Sequence, residues 1–234
     1  MTATAKAPAW RRDLWVTLAA LALLLAWDAS GLDLAAARLF GTAQGFAWEH
    51  NFIASRLLHD GGRVAALVLV AGMVAHALWP VRAGGPSRRQ RWAWVGVTLL
   101  TTLLVPAIKR ISSTSCPWSL SEFGGTARYL SHWQWGVPDG ASGHCFPSGH
   151  AVAAFAFFSL YFLWRGHNPR LAHGWLVGVL VAGALFGAAQ LARGAHYPSH
   201  TLWSAWLCWA LCVAAAAAMA QGPGPRQRGG IQLL

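Results

Sequence analysis

The amino-acid sequence predicts an all-α membrane protein, a polytopic bundle of six transmembrane helices, and three observations carry that expectation. Hydrophobic residues make up 56% of the 234 residues while charged residues make up 11%, against about 25% charged in an ordinary soluble domain. Apolar stretches of roughly 17 to 22 residues recur along the chain with Trp at their edges, long enough to cross a hydrocarbon core of about 30 Å as helices rather than as barrel strands. The basic residues, 18 Lys+Arg against 7 Asp+Glu for a net charge of +11, cluster between those stretches. In a soluble protein such an excess would suggest nucleic acid, but here it reads as membrane topology, so membrane lipids and not nucleic acid are the expected surroundings.

The spans fall at 12–30, 63–81, 92–109, 148–165, 171–192 and 201–220. Lys6, Arg11 and Arg12 ahead of the first span, with Ala35, Ala36 and Ala37 beyond it, also fit a cleaved signal peptide; no small-x-small site closely follows the apolar core, so an uncleaved anchor is expected. The organisation is then an N-terminus over 1–11, one six-span domain over 12–220 and a Pro/Gly/Arg tail over 221–234. Six spans put both termini on one face. That face carries Lys6, Arg11, Arg12, Arg82, Arg88, Arg89, Arg91, Arg165, Arg170, Arg226 and Arg228. The other carries Arg38, Arg56, Arg63, Lys109, Arg110, Arg128 and Arg193, offset by all the acids but Asp13. The positive-inside rule makes the termini cytoplasmic. Segments 31–62, 110–147 and 193–200 then face outward, at a bacterial inner membrane toward the periplasm. The pattern Ser119-Leu120-Ser121-Glu122 resembles a capping box and predicts a short interfacial helix over 120–131.

Polar residues that packing does not require gather at the outer face: Lys109-Arg110 ending the third span, Pro147-Ser148-Gly149-His150 starting the fourth, Arg193 and His196 after the fifth. Each suits phosphate chemistry. Pro-Ser-Gly-His at a helix start offers a hydroxyl, a glycine that lets backbone approach closely, and free N–H groups for an anion. Lys109 is a mobile point charge and Arg193 a planar fork of donors. His196 can attack phosphorus as a neutral imidazole while His150 protonates the leaving oxygen. No carboxylate cluster suited to magnesium accompanies them.

These residues resemble the phosphatidic acid phosphatase type 2 superfamily, whose membrane members have six spans and three ordered motifs. The second, P-S-G-H, is present in full at Pro147, Ser148, Gly149 and His150. The first, K, six residues, R-P, is met at Lys109 and Pro117; the third, S-R, five residues, H, three residues, D, is met at His196. The resemblance implies a metal-independent, cofactor-free phosphatase acting on a lipid phosphate or pyrophosphate through a phosphohistidine on His196, with His150 as acid and Lys109, Ser148, Gly149 and Arg193 around the phosphate. The sequence departs from the motifs at Cys116, at Ala189-Gln190 and at His200, which stand for Arg, Ser-Arg and Asp. Gln190 lies on the face of Arg193 and can donate a neutral hydrogen bond, Arg110 and Arg128 are possible helpers, and His200 is a possible orienter of His196.

Two other functions compete. His150, His196 and His200, with Cys145, could hold a metal for hydrolysis, or a degenerate relative could bind a phosphate lipid without cleaving it. Cys116 and Cys145 fall in the external segment, where a disulfide persists, and both approach the site if the motifs converge; the alternative is two separate buried thiols. Cys208, Cys212, His76 and His173 read as packing residues, Trp118, Trp133 and Trp135 as interfacial anchors, and His132 and His144 have no assigned partner. Neither the lipid nor the oligomeric state is legible.

Overall fold

A computed structural model describes residues 9–80 and 83–221; Lys6, Arg82, Arg226, Arg228 and the expected tail lie outside them. The helices are α1 (Ala9–Ser30), α2 (Leu32–Arg38), α3 (Gly61–Leu78), α4 (Arg88–Ile111), α5 (Val152–Phe155), α6 (Phe158–Trp164), α7 (Pro169–Ala192) and α8 (Pro198–Gln221), with a two-residue hairpin, β1 (Gly41–Thr42) and β2 (Gly45–Phe46), after α2. A π-helical segment, Ile53–Asp60, leads directly into α3. Local chemistry sets the boundaries. Ser87 accepts the N–H of Gln90 while the Gln90 side chain accepts that of Ser87, a reciprocal cap that starts α4 ahead of its apolar stretch. Asn168 caps α7 at Leu171, with Pro169 in its first turn.

Among the described residues five helices are long and apolar enough to cross a membrane. The expected fourth span, 148–165, departs from this pattern. It begins as helix only at Val152, is interrupted around Ala156 and Phe157, and ends at Trp164, a reach of about 20 Å at 1.5 Å per residue. The reason is position: α5 and α6 lie at the centre of the bundle against α4, α7 and α8, with α5 also touching α3. Phe158 through Leu163 are all buried. A helix screened from lipid has its freed backbone groups covered by protein, so bilayer thickness does not set its length. The core is correspondingly aromatic, with Phe155, Phe158, Tyr161 and Phe162 packed against Trp94 and Trp209. It carries a polar tie between the hydroxyls of Thr98 and Ser159, 2.7 Å apart.

Helix α1 packs on α8. It is fastened by the ion pair of Asp13 with Arg165 and by the indoles of Trp206 and Trp209, which donate to the Thr17 carbonyl and hydroxyl at 3.0 Å. Charged side chains are tied down at both ends of the bundle. Arg91 donates to the carbonyls of His76 and Trp79 at one end, and Arg38 pairs with Glu122 at the other.

That second end carries α2, the hairpin and the 112–147 loop, closed over Phe46, Leu120, Phe123, Ala127 and Tyr197. The expected helix over 120–131 does not form. Residues 117–119 and 121–123 make single 3₁₀ turns, and at Gly124 and Gly125 the chain doubles back so that Thr126 and Ala127 donate to the Ser119 carbonyl. A Gly-Gly pair ends a helix more readily than it continues one. Cys116 and Cys145 form a disulfide with Cα atoms 5.2 Å apart, so the reading as separate thiols is discarded. Asp139 organises the same loop by accepting the N–H of Ser115 at 2.7 Å and its hydroxyl at 2.8 Å.

Candidate active site

Three pieces meet at the end of the bundle that carries α2 and the 112–147 loop. Lys109 comes from the last turn of α4, Gly149 and His150 from the turn ahead of α5, and His196 from the α7–α8 turn. A Cβ built on Gly149 would lie 3.8 Å from the Lys109 Cδ, and the rings of His150 and His196 have centroids 6.0 Å apart. The α7–α8 turn is made by Gly194, whose φ of 71° is left-handed and which packs under the Phe46 ring. Ala195 then donates to the Gln190 carbonyl at 2.8 Å, closing α7 and aiming His196 inward.

His196 is 2% exposed. Its Nδ1 lies 3.5 Å from the Nδ1 of His200 and 3.5 Å from the Cys145 Sγ. Which ring donates depends on the tautomer; with the proton on the His196 Nδ1, its Nε2 keeps its lone pair. Burial holds His196 well below the ordinary histidine pKa, and the nearby His200, Lys109 and His150 push the same way. The ring is therefore neutral at neutral pH.

Ser148 differs from expectation. The helix starts at Val152, four residues later than the motif suggested, and Ser148 is fully buried, its N–H donating to the His200 carbonyl at 3.0 Å. Its own carbonyl accepts from the Ser204 hydroxyl at 2.8 Å. Ser148 thus fastens the turn to α8 and its N–H is not open to an anion. Arg193 is likewise engaged: its Nε donates to the Glu49 carbonyl at 3.0 Å and its guanidinium lies 6.0 Å from the centre of the Trp118 ring. Arg110 and Arg128 are exposed at the surface. Gln190 is 2% exposed, and its Oε1 is buried without a hydrogen-bond partner.

A cavity of about 510 Å³ opens between α3, α4 and α7, with Gly149, His150 and Gln190 at its polar end, apolar walls that include Leu67, Val70 and Leu99, and Arg63 among its lining residues. Its size and mixed lining are those of a ligand site.

Sequence reasoning missed the carboxylates behind His200. His200 lies edge-on to His132 with centroids 6.0 Å apart. His132 stacks on Phe146 at 4.1 Å and brings Nε2 within 3.2 Å of the Asp28 Oδ2. The indoles of Trp203 and Trp133 donate to the same oxygen at 2.9 and 3.2 Å, so Trp133 is more than an interfacial anchor. Burial lowers the His132 pKa, and Asp28 and Asp33 oppose that shift. Asp33 accepts the Ser199 N–H at 3.0 Å and the Ser199 hydroxyl, placing a negative charge at the start of α8. The available signal was an acid at each side of a membrane-span end, Asp28 and Asp33, where ionisable residues are rarely idle.

Two groups could be considered for a metal. Cys145, His196 and His200 offer ligand atoms within 4.8 Å of one another, but Cys145 is spent in the disulfide and has no thiolate to give. Asp28, Asp33 and His132 also lie within 4.8 Å, yet the Asp28 Oδ2 and both Asp33 oxygens already accept N–H or O–H donors that a cation would displace.

With that geometry in place, the sequence profile of the PAP2 superfamily matches residues 91–222, from α4 to the end of α8, which is more than half the chain. The chain belongs to the PAP2 superfamily. Within this PAP2 chain the matched region contains Lys109, His150 and His196, while α1 to α3, with Asp28, Asp33 and Arg63, precede it. The fold is similar to that in the crystal structure of the first transmembrane PAP2 type phosphatidylglycerolphosphate phosphatase from Bacillus subtilis, with a TM-score of 0.56 at 17% identity over 90% of this chain and 98% of that one. No curated protein matches the PAP2 chain by sequence. Its apolar helices and this transmembrane likeness make it an integral membrane protein.

Proposed function

We propose that this PAP2 protein is a metal-independent phosphatase that hydrolyses a lipid phosphate or pyrophosphate at the periplasmic face of a bacterial inner membrane, through a phosphohistidine on His196. The observation that carries the reading is the meeting of Lys109, Gly149, His150 and a buried, neutral His196, with Gly149 and His150 also lining a cavity with apolar walls. The phosphoryl group lies between Lys109 and the Gly149 backbone, and the lipid chain runs along the apolar walls.

The His196 Nε2 attacks phosphorus in line as the bond from phosphorus to the lipid oxygen breaks, and His150 delivers a proton to that oxygen. His200 holds the Nδ1 proton of His196 and so keeps the ring oriented as its positive charge develops. His150, now neutral, takes a proton from water, which attacks the phosphohistidine; inorganic phosphate leaves and His196 returns to its starting form. A neutral histidine stabilises the phospho-imidazolium less than a carboxylate would, which favours a slow enzyme over an inactive one.

The test is phosphate release by the purified full chain in detergent against phosphatidic acid, phosphatidylglycerophosphate, polyprenyl pyrophosphate and phosphorylated glycolipids. Release from one of them, lost in His196→Ala, blocked by orthovanadate and untouched by a chelator, is the expected result. Full turnover in His196→Ala overturns the mechanism, and loss to a chelator restores the metal reading.

A further inference from the structure

A phosphomonoester carries close to two negative charges at neutral pH, and a low-dielectric site must balance them. Lys109 supplies one positive charge. Arg193 is turned to the Glu49 carbonyl and the Trp118 ring, and Arg110 and Arg128, exposed like Arg63, do not line the cavity. Among the residues that line it, Arg63 is the one with a fixed positive charge.

Its position follows from helix packing. Gly62 sits against Phe186 of α7 so closely that an added Cβ would come within 2.7 Å of the ring. The Phe186 ring therefore fills the gap between α3 and α7 at this level. Gln190 is four residues beyond Phe186, one turn further toward the outer face on the same side of α7. Helix α3 enters from the outer face, and helical side chains lean toward the N-terminus. The long Arg63 side chain consequently rises toward the layer of Gln190 and His150. Arg63 forms no hydrogen bond or ion pair to any described residue, so its donors are not committed elsewhere. Across the cavity Gln190 holds a buried amide with an unpartnered end; a half-turn of that amide exchanges acceptor for N–H donors.

We infer that Arg63, contributed by a helix outside the region the family profile matches, is a phosphate-binding residue of this site, its guanidinium and the Gln190 amide taking phosphoryl oxygens that Lys109 does not. The inference rests on the phosphatase reading for its substrate, a lipid phosphomonoester or diphosphate, but not for its anion site. A bidentate guanidinium also explains how the site functions with a neutral residue at 190.

The experiment compares the full-length protein with Arg63→Gln, Arg63→Lys, Gln190→Arg and the double variant Arg63→Gln/Gln190→Arg. Two quantities are read on each: orthovanadate affinity by thermal shift in detergent, and kcat/KM on the lipid phosphates named above. Arg63→Gln should weaken orthovanadate binding and lower kcat/KM by about tenfold or more, with its melting temperature without ligand unchanged. Arg63→Lys should keep part of the function, and the double variant should regain most of it by returning a guanidinium from the opposite wall. An Arg63→Gln protein that binds and turns over as the wild type does overturns the inference, as does a loss that comes only with a lowered melting temperature and is not recovered in either Arg63→Lys or the double variant. Orthovanadate binding that depends on Arg63, without turnover of any lipid phosphate, upholds the anion site and sinks the phosphatase reading. Neither binding nor turnover in the wild type overturns both.

Discussion

At the scale of single residues, Gly149 and His196 show how the site separates packing from chemistry. A Cβ on Gly149 would meet only the Lys109 Cδ, at an ordinary contact distance of 3.8 Å, and the backbone there is not left-handed. Gly149→Ala should therefore fold with unchanged thermal stability, yet its methyl would occupy the space between backbone and Lys109 where the phosphoryl group is proposed to sit. A raised KM at unchanged melting temperature, measured side by side, is the expected result; unchanged kinetics would remove Gly149 from the site. His196 must be neutral to attack, and burial lowers its pKa below the ordinary 6.5. As pH falls, activity should persist through the usual histidine range and disappear only once the lowered value is passed, so the acid limb of kcat/KM lies below 6.5. A profile over about pH 4 to 9 with its acid limb at or above the ordinary value would contradict the buried nucleophile. The ordered positions of Lys109, His150 and His196 were legible in the sequence because the chemistry depends on residue type at fixed spacing. The role of Ser148 was not, since whether its N–H meets an anion or the His200 carbonyl is decided by how α8 approaches the turn.

Among the elements, the 112–147 loop has the least regular structure of any segment bearing on the site, and it is held by the Cys116–Cys145 bridge, by Asp139 and by His132. The bridge closes 29 residues, for which loop-closure entropy gives about 3 to 4 kcal/mol. Cys116→Ser should lower stability by an amount of that order, and Cys145→Ser by the same, because either removes the same constraint. Mass spectrometry of unreduced, alkylated protein should show these two cysteines linked while Cys208 and Cys212, both fully buried, label only after unfolding. Equal stability of the variants and the wild type would show that the loop is held by its other contacts. The pairing was readable from two cysteines flanking convergent motifs. The helix expected over 120–131 was misread because its capping pattern is local, whereas Gly124-Gly125 and the packing of Leu120 and Phe123 under Phe46 belong to the folded end cap.

For the whole molecule, the separation of Asp13–Arg165 and the Arg91 contacts at one end from Arg38–Glu122 and Arg193–Glu49 at the other agrees with the alternation of the helices and predicts one sidedness. A reporter fused after Gly140 should report the periplasm and one fused after Gln221 the cytoplasm; a cytoplasmic signal at Gly140 would reverse the topology and the proposed face of the site. Residue type and order by themselves determined the all-α membrane class, the places of the long helices apart from the π-helical lead-in Ile53–Asp60, and the order of the three site segments. Hydropathy, capping and motif spacing are properties of neighbouring residues, and a bilayer imposes them on each span separately. Tertiary structure alone decided that the fourth apolar stretch is a short, broken central helix, that Asp28 and Asp33 of the first helices stand behind His200 and at the start of α8, and that Arg63 faces the cavity of Gln190 and His150. Those facts depend on which helix lies beside which. Burial and long-range hydrogen bonds join residues more than a hundred positions apart, and no local pattern encodes that adjacency.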